Sequence, residues 1–220
     1  MSRVNKFRYE EHDLTDILPA TWAANLCFIA GRSATERSLT PTSVTSREAP
    51  HVRSRPLLLV DGEVLKKEAP WLFTLYETVF LEYARKYSGV PVYTASTDIY
   101  AINLNVQWGD GMVYECHVDS NPVQGMLYTS TLTQADGGAL VVGYNPDAKS
   151  IPEVDADCVE IYPRANHLVT FDARHAPHYV RPMSHGDARI AVAMNFYTDE
   201  CPESARPADL SKHLFGPTRG

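Results

Sequence analysis

The sequence predicts a mainly β protein with flanking helices, built on a jelly-roll, cupin-like core. From residue 97 onward, short apolar runs with a period of two alternate with clusters of Gly, Pro, Asn and Asp. Before residue 97 the apolar residues recur instead at helical spacing. A chain of 220 residues, 44% hydrophobic and 21% charged, suits one well-buried core. The expected organisation is a single domain over 1–220: a helical and loop region (1–96), the jelly-roll (97–198) and a C-terminal tail (199–220).

The first 31 residues hold a polar lead and then an apolar stretch over 22–30. Asp16-Ile17-Leu18-Pro19 reads as a turn, and Thr21 can cap a short helix that runs to Ala30 and stops at Gly31. Residues 32–56 change to Ser, Thr, Arg and Pro, a loop composition. A connection of that length suits either a lid over a binding site or a surface excursion. Residues 57–60 are a short apolar run, expected as a strand closed by Asp61-Gly62. The strongest helix signal follows, with Pro70 in its first turn and Gly89 just past its end. Trp71, Leu72, Leu75, Val79, Phe80 and Tyr83 recur at three- and four-residue spacing, giving one apolar face to pack on a sheet.

Beyond Thr97, Tyr100, Ile102, Leu104 and Val106 alternate with Ala101, Asn103, Asn105 and Gln107, the period of a strand. Further strands are expected at 112–117, 125–132, 139–142, 158–162, 167–171, 178–180 and 189–197. About eight short strands separated by turn residues favour a barrel that shortens or removes exposed edges. Residues 201–220 are Pro-rich and polar, expected as a tail over the surface.

Composition excludes some partners. The formal net charge is −7 and no basic block stands out, which argues against nucleic acid or an anionic membrane. No apolar run approaches the roughly 20 residues of a membrane span, and the polar N-terminus is unlike a secretory signal. The expected setting is the cytoplasm. Cys27, Cys116, Cys158 and Cys201 lie far apart and form no CxxC pair, so reduced thiols are expected rather than disulfides.

The chemistry concentrates in Tyr114-Glu115-Cys116-His117-Val118-Asp119. His117 and Asp119 are metal-ligand types two residues apart, which a flat strand would point to opposite faces. A strand end bending into a turn can bring both to one ion, and Asp119-Ser120-Asn121-Pro122 reads as such a turn. His175, His178 and His185 can each supply a third ligand; His178 is preferred because it opens a strand-like run with Arg189 one strand later. Two His and one carboxylate form the facial triad of non-haem Fe(II) oxygenases, leaving adjacent positions for a bidentate 2-oxoacid and O2. Arg189 is either a surface residue at a strand start or a buried cation awaiting a carboxylate.

The set His117-Val118-Asp119, Gly137-Gly138-Ala139-Leu140, His178-Tyr179-Val180-Arg181-Pro182 and Arg189 resembles the 2-oxoglutarate/Fe(II)-dependent dioxygenase superfamily, prolyl-hydroxylase-like in its motifs, over roughly residues 98–198. The resemblance implies a double-stranded β-helix core and an enzyme using Fe(II), 2-oxoglutarate and O2. His117, Asp119 and His178 would hold the iron, and Arg189 would pair with the distal carboxylate of 2-oxoglutarate. Tyr128 would either hydrogen-bond that carboxylate or serve as a core tyrosine. The wording Tyr-Glu-Cys-His-Val-Asp-Ser-Asn-Pro further resembles the branch of radical halogenases and hydroxylases of free amino acids. Halogenases of that type carry Gly where this chain has Asp119, so the resemblance implies hydroxylation of a small polar substrate, a free amino acid or derivative.

Candidate substrate contacts are Asn105 and Asn195 on strands, Tyr114 three residues before His117, and Arg53 in the long loop. Two alternatives stand. The same site can give desaturation, cyclisation or epimerisation, or the barrel can be a non-oxidative metal or small-molecule binding module. A small-molecule partner is expected, with a homodimer left open.

Overall fold

The computed structural model describes residues 7–38, 56–109, 116–184, 188–207 and 210. Its strands are β1 (Tyr9–Asp13), β2 (Thr35–Ser38), β3 (Pro56–Val60), β4 (Val92–Thr94), β5 (Ile102–Trp108), β6 (Val123–Tyr128), β7 (Leu140–Gly143), β8 (Cys158–Ile161), β9 (His167–Phe171), β10 (His178–Val180) and β11 (Ala188–Thr198). Among the described residues they form two antiparallel sheets. The larger runs β1-β9-β6-β11-β5-β3-β2, with β4 also paired to β11; the smaller runs β10-β7-β8.

Strand β11 is the axis of the larger sheet. It pairs with β5 and β6 along its length and with β4 at its end. Because successive side chains alternate, its residues divide into two sets. Val192, Met194 and Phe196 enter one core with Leu104, Val106, Leu127, Leu168 and the helices. Ala191 and Ala193 enter a second core with Met126, Tyr128, Leu140, Val142 and Phe171, facing the smaller sheet. With both faces covered, β6 is buried throughout.

The helices α1 (Trp22–Ser33), α2 (Gly62–Glu68), α3 (Pro70–Leu75) and α4 (Leu81–Ser88) cover the outer face. The predicted helix from Pro70 to Gly89 is present but divided by a π turn at Tyr76–Phe80. Gly89 ends it with φ 72°, a left-handed cap suited to glycine. Tyr76, at the start of the π turn, donates to the Asn195 carbonyl at 2.6 Å and accepts from Ala95 N–H at 2.8 Å. Burial raises its phenol far above the usual range.

Several expectations need correction. Helix α1 continues through Gly31 to Ser33, because an exposed glycine lowers helix propensity without forbidding it. Thr21 makes no side-chain cap hydrogen bond. Residues Asp98–Ala101 form a one-turn helix, α5, so the strand begins at Ile102. The helix α2, capped by Asp61 accepting from Val64 N–H at 3.0 Å, went unpredicted. So did β1, β2, β4 and the short α6 (Ile151–Asp155). Of the expected loop 32–56, residues 35–38 are strand β2, and 39–55 lie outside the described residues, as does most of the expected strand 112–117.

Gly62 fixes how α2 meets α5. A Cβ there would sit 1.8 Å from the Asp98 carbonyl oxygen and 2.8 Å from that of Ile102, both main-chain atoms that cannot swing aside. Gly62→Ala is expected to cost about 1–3 kcal/mol, the usual range for overpacking. Denaturant unfolding checks this; an unchanged midpoint would show that α2 and α5 separate freely.

Candidate active site

The triad is assembled by backbone pairing. His117 and His178 form an isolated antiparallel bridge, each amide donating to the other's carbonyl at 3.0 and 2.9 Å. The turn after His117 is tied down by Asp119 N–H donating to the Ala173 carbonyl at 2.8 Å. The result places one ligand atom each from His117, Asp119 and His178 within 4.8 Å of one another. Nε2 of each imidazole lies 3.7 Å from an Asp119 carboxylate oxygen. That is too long for a hydrogen bond, and it suits atoms turned toward a common point.

The tautomer of His178 follows from its surroundings. Nδ1 lies 2.8 Å from the Ala176 carbonyl oxygen. A carbonyl only accepts, so Nδ1 carries the proton and Nε2 keeps its lone pair for a metal. Burial, and next the neighbouring His117, push the His178 pKa down to about 4, which keeps the ring neutral. Phe171 meets this ring edge-on at 5.4 Å. Of the other third-ligand candidates, His175 stands apart, 65% exposed and 2.9 Å from Asp172. His185 lies outside the described residues.

Arg189 is 2% exposed. Its Nη1 donates to Gln107 Oε1 at 2.8 Å, and its guanidinium carbon lies 5.0 Å from the centre of the Tyr128 ring. Nε and Nη2 make no hydrogen bond of good geometry, and neither does the Tyr128 hydroxyl, although the guanidinium lies close enough to offset part of the rise that burial gives the Tyr128 phenol. Among the described residues no carboxylate pairs with this cation, and burial lowers its pKa. A buried unpaired charge is expensive, and a ligand carboxylate would relieve it.

The register shows what lies between the two centres. On β11, Arg189 sits opposite Gln107, Ala191 between Asn105 and Tyr128, Ala193 between Asn103 and Met126, and Asn195 beside Gln124. All but Ala191 and Tyr128 line one cavity that also contains the triad. Ala193 keeps the floor low between the larger side chains of Asn103 and Met126 on either strand.

The predicted substrate contacts divide. Asn195 lines the cavity, but its Nδ2 donates to the Tyr100 carbonyl at 2.7 Å. Asn105 lines it nearer Arg189, with Nδ2 donating to Asn103 Oδ1 at 3.0 Å. Tyr114 and Arg53 lie outside the described residues. Sequence reasoning missed Asn121, 1% exposed on the cavity wall, with Nδ2 donating to the Val123 carbonyl and Oδ1 unpartnered. It also assigned no role to Gln107, although the period of two put it on one face with Asn103 and Asn105.

The model of the 2OG-Fe(II) oxygenase superfamily matches residues 102–197. The matched stretch, 96 of the 220 residues, is similar to that superfamily. The protein is a 2-oxoglutarate-dependent dioxygenase, and its cofactors are Fe(II), 2-oxoglutarate and O2. No curated protein matches the chain by sequence. Solved structures share its double-stranded β-helix fold. The epimerase SnoN of nogalamycin biosynthesis is 13% identical, with TM-score 0.61, over 89% of this chain and 80% of its own. HygX from Streptomyces hygroscopicus, with nickel, 2-oxoglutarate and hygromycin B bound, is 10% identical, with TM-score 0.60, over 89% and 84%. A Trichoplax adhaerens prolyl hydroxylase, in complex with a hypoxia inducible factor peptide, is 16% identical, with TM-score 0.61, over 90% and 86%.

The chain's own residues fit these cofactors. Two imidazoles and a carboxylate suit Fe(II), and the donors of Arg189 suit the distal carboxylate of 2-oxoglutarate. In this oxygenase Gly138 leaves room for that cation. Its φ is 72°, and a Cβ would meet Met183 Sδ at 2.7 Å and Arg189 Cδ at 3.2 Å. Gly138→Ala is expected to weaken 2-oxoglutarate binding about tenfold or more while sparing metal affinity. Calorimetric titration of each checks this, and equal losses in both would refute it.

Proposed function

We propose that the enzyme hydroxylates a small polar molecule, a free amino acid or derivative, and releases succinate and CO2. In this reading His117, Asp119 and His178 hold Fe(II), and Arg189 with Tyr128 receives the distal carboxylate of 2-oxoglutarate. The observation that carries it is the buried Arg189, which has no carboxylate partner among the described residues and lines the same cavity as the triad.

The bound iron and 2-oxoacid supply oxidative decarboxylation by O2 and the means to replace an unactivated C–H by C–OH. The protein supplies placement and shielding. His178 is held by the Ala176 carbonyl and the Phe171 edge, so its Nε2 direction is set before any ligand arrives. Arg189 and Tyr128 would hold the far end of the cosubstrate, and Leu140 and Val180 keep part of the wall apolar. Asp119 favours hydroxylation over halogenation, because its carboxylate fills the position that a halide needs. The four cysteines are free in the structure. Among the described residues no helix is long and apolar enough to cross a membrane.

The same donor set can steer a substrate radical to desaturation, cyclisation or epimerisation, and SnoN, which shares the fold, is an epimerase. The binding-module alternative falls with the oxygenase match.

The test is succinate formation by anaerobically purified, Fe(II)-loaded protein offered 2-oxoglutarate, O2 and a panel of free amino acids and their derivatives. Stimulation by one compound, with a product 16 mass units heavier, supports the reading; a product of unchanged mass favours epimerisation. Asp119→Ala is expected to lower the rate and the iron content by about 100-fold or more, beyond the cost of losing a supporting partner. Wild-type turnover in that variant would sink the ligand assignment.

A further inference from the structure

Gln107 is buried to 4% exposure and faces Arg189 directly across the β5–β11 pair. Arg189 can only donate, so the atom meeting its Nη1 at 2.8 Å must be the carbonyl oxygen of the Gln107 amide. The two orphaned nitrogens of Arg189, Nε and Nη2, lie side by side on one edge of the guanidinium plane. That edge carries two parallel N–H donors at the spacing of a carboxylate's oxygens. Gln107 therefore occupies the nitrogen outside the fork and leaves the fork whole.

The choice of an amide over an acid matters. A glutamate at 107 would reach the same nitrogen, but it would neutralise the cation and hydrogen-bond more strongly. A leucine would leave Nη1 without its acceptor and the guanidinium free to turn toward other oxygens. Glutamine orients the charge without discharging it. The neighbouring carboxamides on this strand are engaged with each other, Asn105 donating to Asn103. The positioning contact to the cation falls to Gln107.

We propose that Gln107 is the positioning residue of the cosubstrate site: it turns the Nε–Nη2 edge of Arg189 into the trough and thereby makes the site select dicarboxylic 2-oxoacids. This rests on the reading that Arg189 pairs with the distal carboxylate of 2-oxoglutarate. It also moves Asn105, one step along β5, from the substrate's side of the cavity to the cosubstrate's.

The full-length chain loaded with Ni(II), which is redox-inert here, is titrated calorimetrically with 2-oxoglutarate and with 2-oxovalerate, which lacks the distal carboxylate. Thermal midpoints are recorded beside the affinities. Gln107→Leu is expected to weaken 2-oxoglutarate about tenfold and Gln107→Glu about 100-fold, with 2-oxovalerate held within about twofold of wild type. Gln107→Met takes the place of the leucine variant if that one fails to fold. Equal weakening of both acids would mean a merely structural role and overturn the proposal. Wild-type affinity for 2-oxoglutarate in the Gln107 variants, with loss in Arg189→Leu, would overturn it too and leave the proposed function standing. Wild-type affinity in Arg189→Leu would bring down the reading of the site and this inference with it.

Discussion

The structure turns on a buried cation that the described fold does not neutralise. A guanidinium removed from water costs several kcal/mol unless it is paired, and Arg189 receives only an amide oxygen and the face of an aromatic ring. Both are partial compensations. A hydrogen bond to a charged group contributes about 1.5–3 kcal/mol and a cation–π contact about 0.5–2. Bringing a carboxylate to the fork completes what folding left undone. On the proposed reading, that local cost of burying the cation becomes affinity for a dianionic cosubstrate.

Strand β11 makes that position tenable. Its outward side chains lock into the helices through Val192, Met194 and Phe196, while its inward row runs from Arg189 past two alanines to Asn195. Tyr76, from the π turn, holds the strand's backbone at Asn195 and links the helical layer to the site. The inward row owes its fixed geometry to the apolar row behind it. A substitution on the helix-facing side can therefore disturb the site without touching it, which is how a packed core transmits strain.

Much of this was legible in the sequence, for identifiable reasons. The period of two over Ile102 to Gln107 and the runs at 167–171 and 178–180 reflect side-chain alternation, which survives any tertiary context. The grouping of His117, Asp119 and His178 was legible because metal chemistry restricts residue types. The misses have physical causes too. β1 is polar on most positions because it forms an edge of the sheet, so no apolar period marks it. The helix at Asp98–Ala101 is a single turn held against α2 by Gly62, a long-range fit without local signal. Asn121 gave no warning because its value lies in a bare oxygen whose partner atom is set by the backbone of Val123.

The triad shows the same division between local chemistry and long-range placement. His117 and Asp119, two apart, would diverge on a flat strand; here the chain leaves strand geometry after His117, and Asp119 is pinned to Ala173 instead. His178 is brought to them by two reciprocal main-chain hydrogen bonds, and its ring is set by the Ala176 carbonyl. None of these restraints uses a ligand atom. The lone pairs of His178 Nε2 and the Asp119 oxygens are not consumed in holding the site together. Order established by the backbone before the ligand arrives is a cost already met in folding, and the same holds at the far end of the trough, where Gln107 sets the fork before a carboxylate enters it.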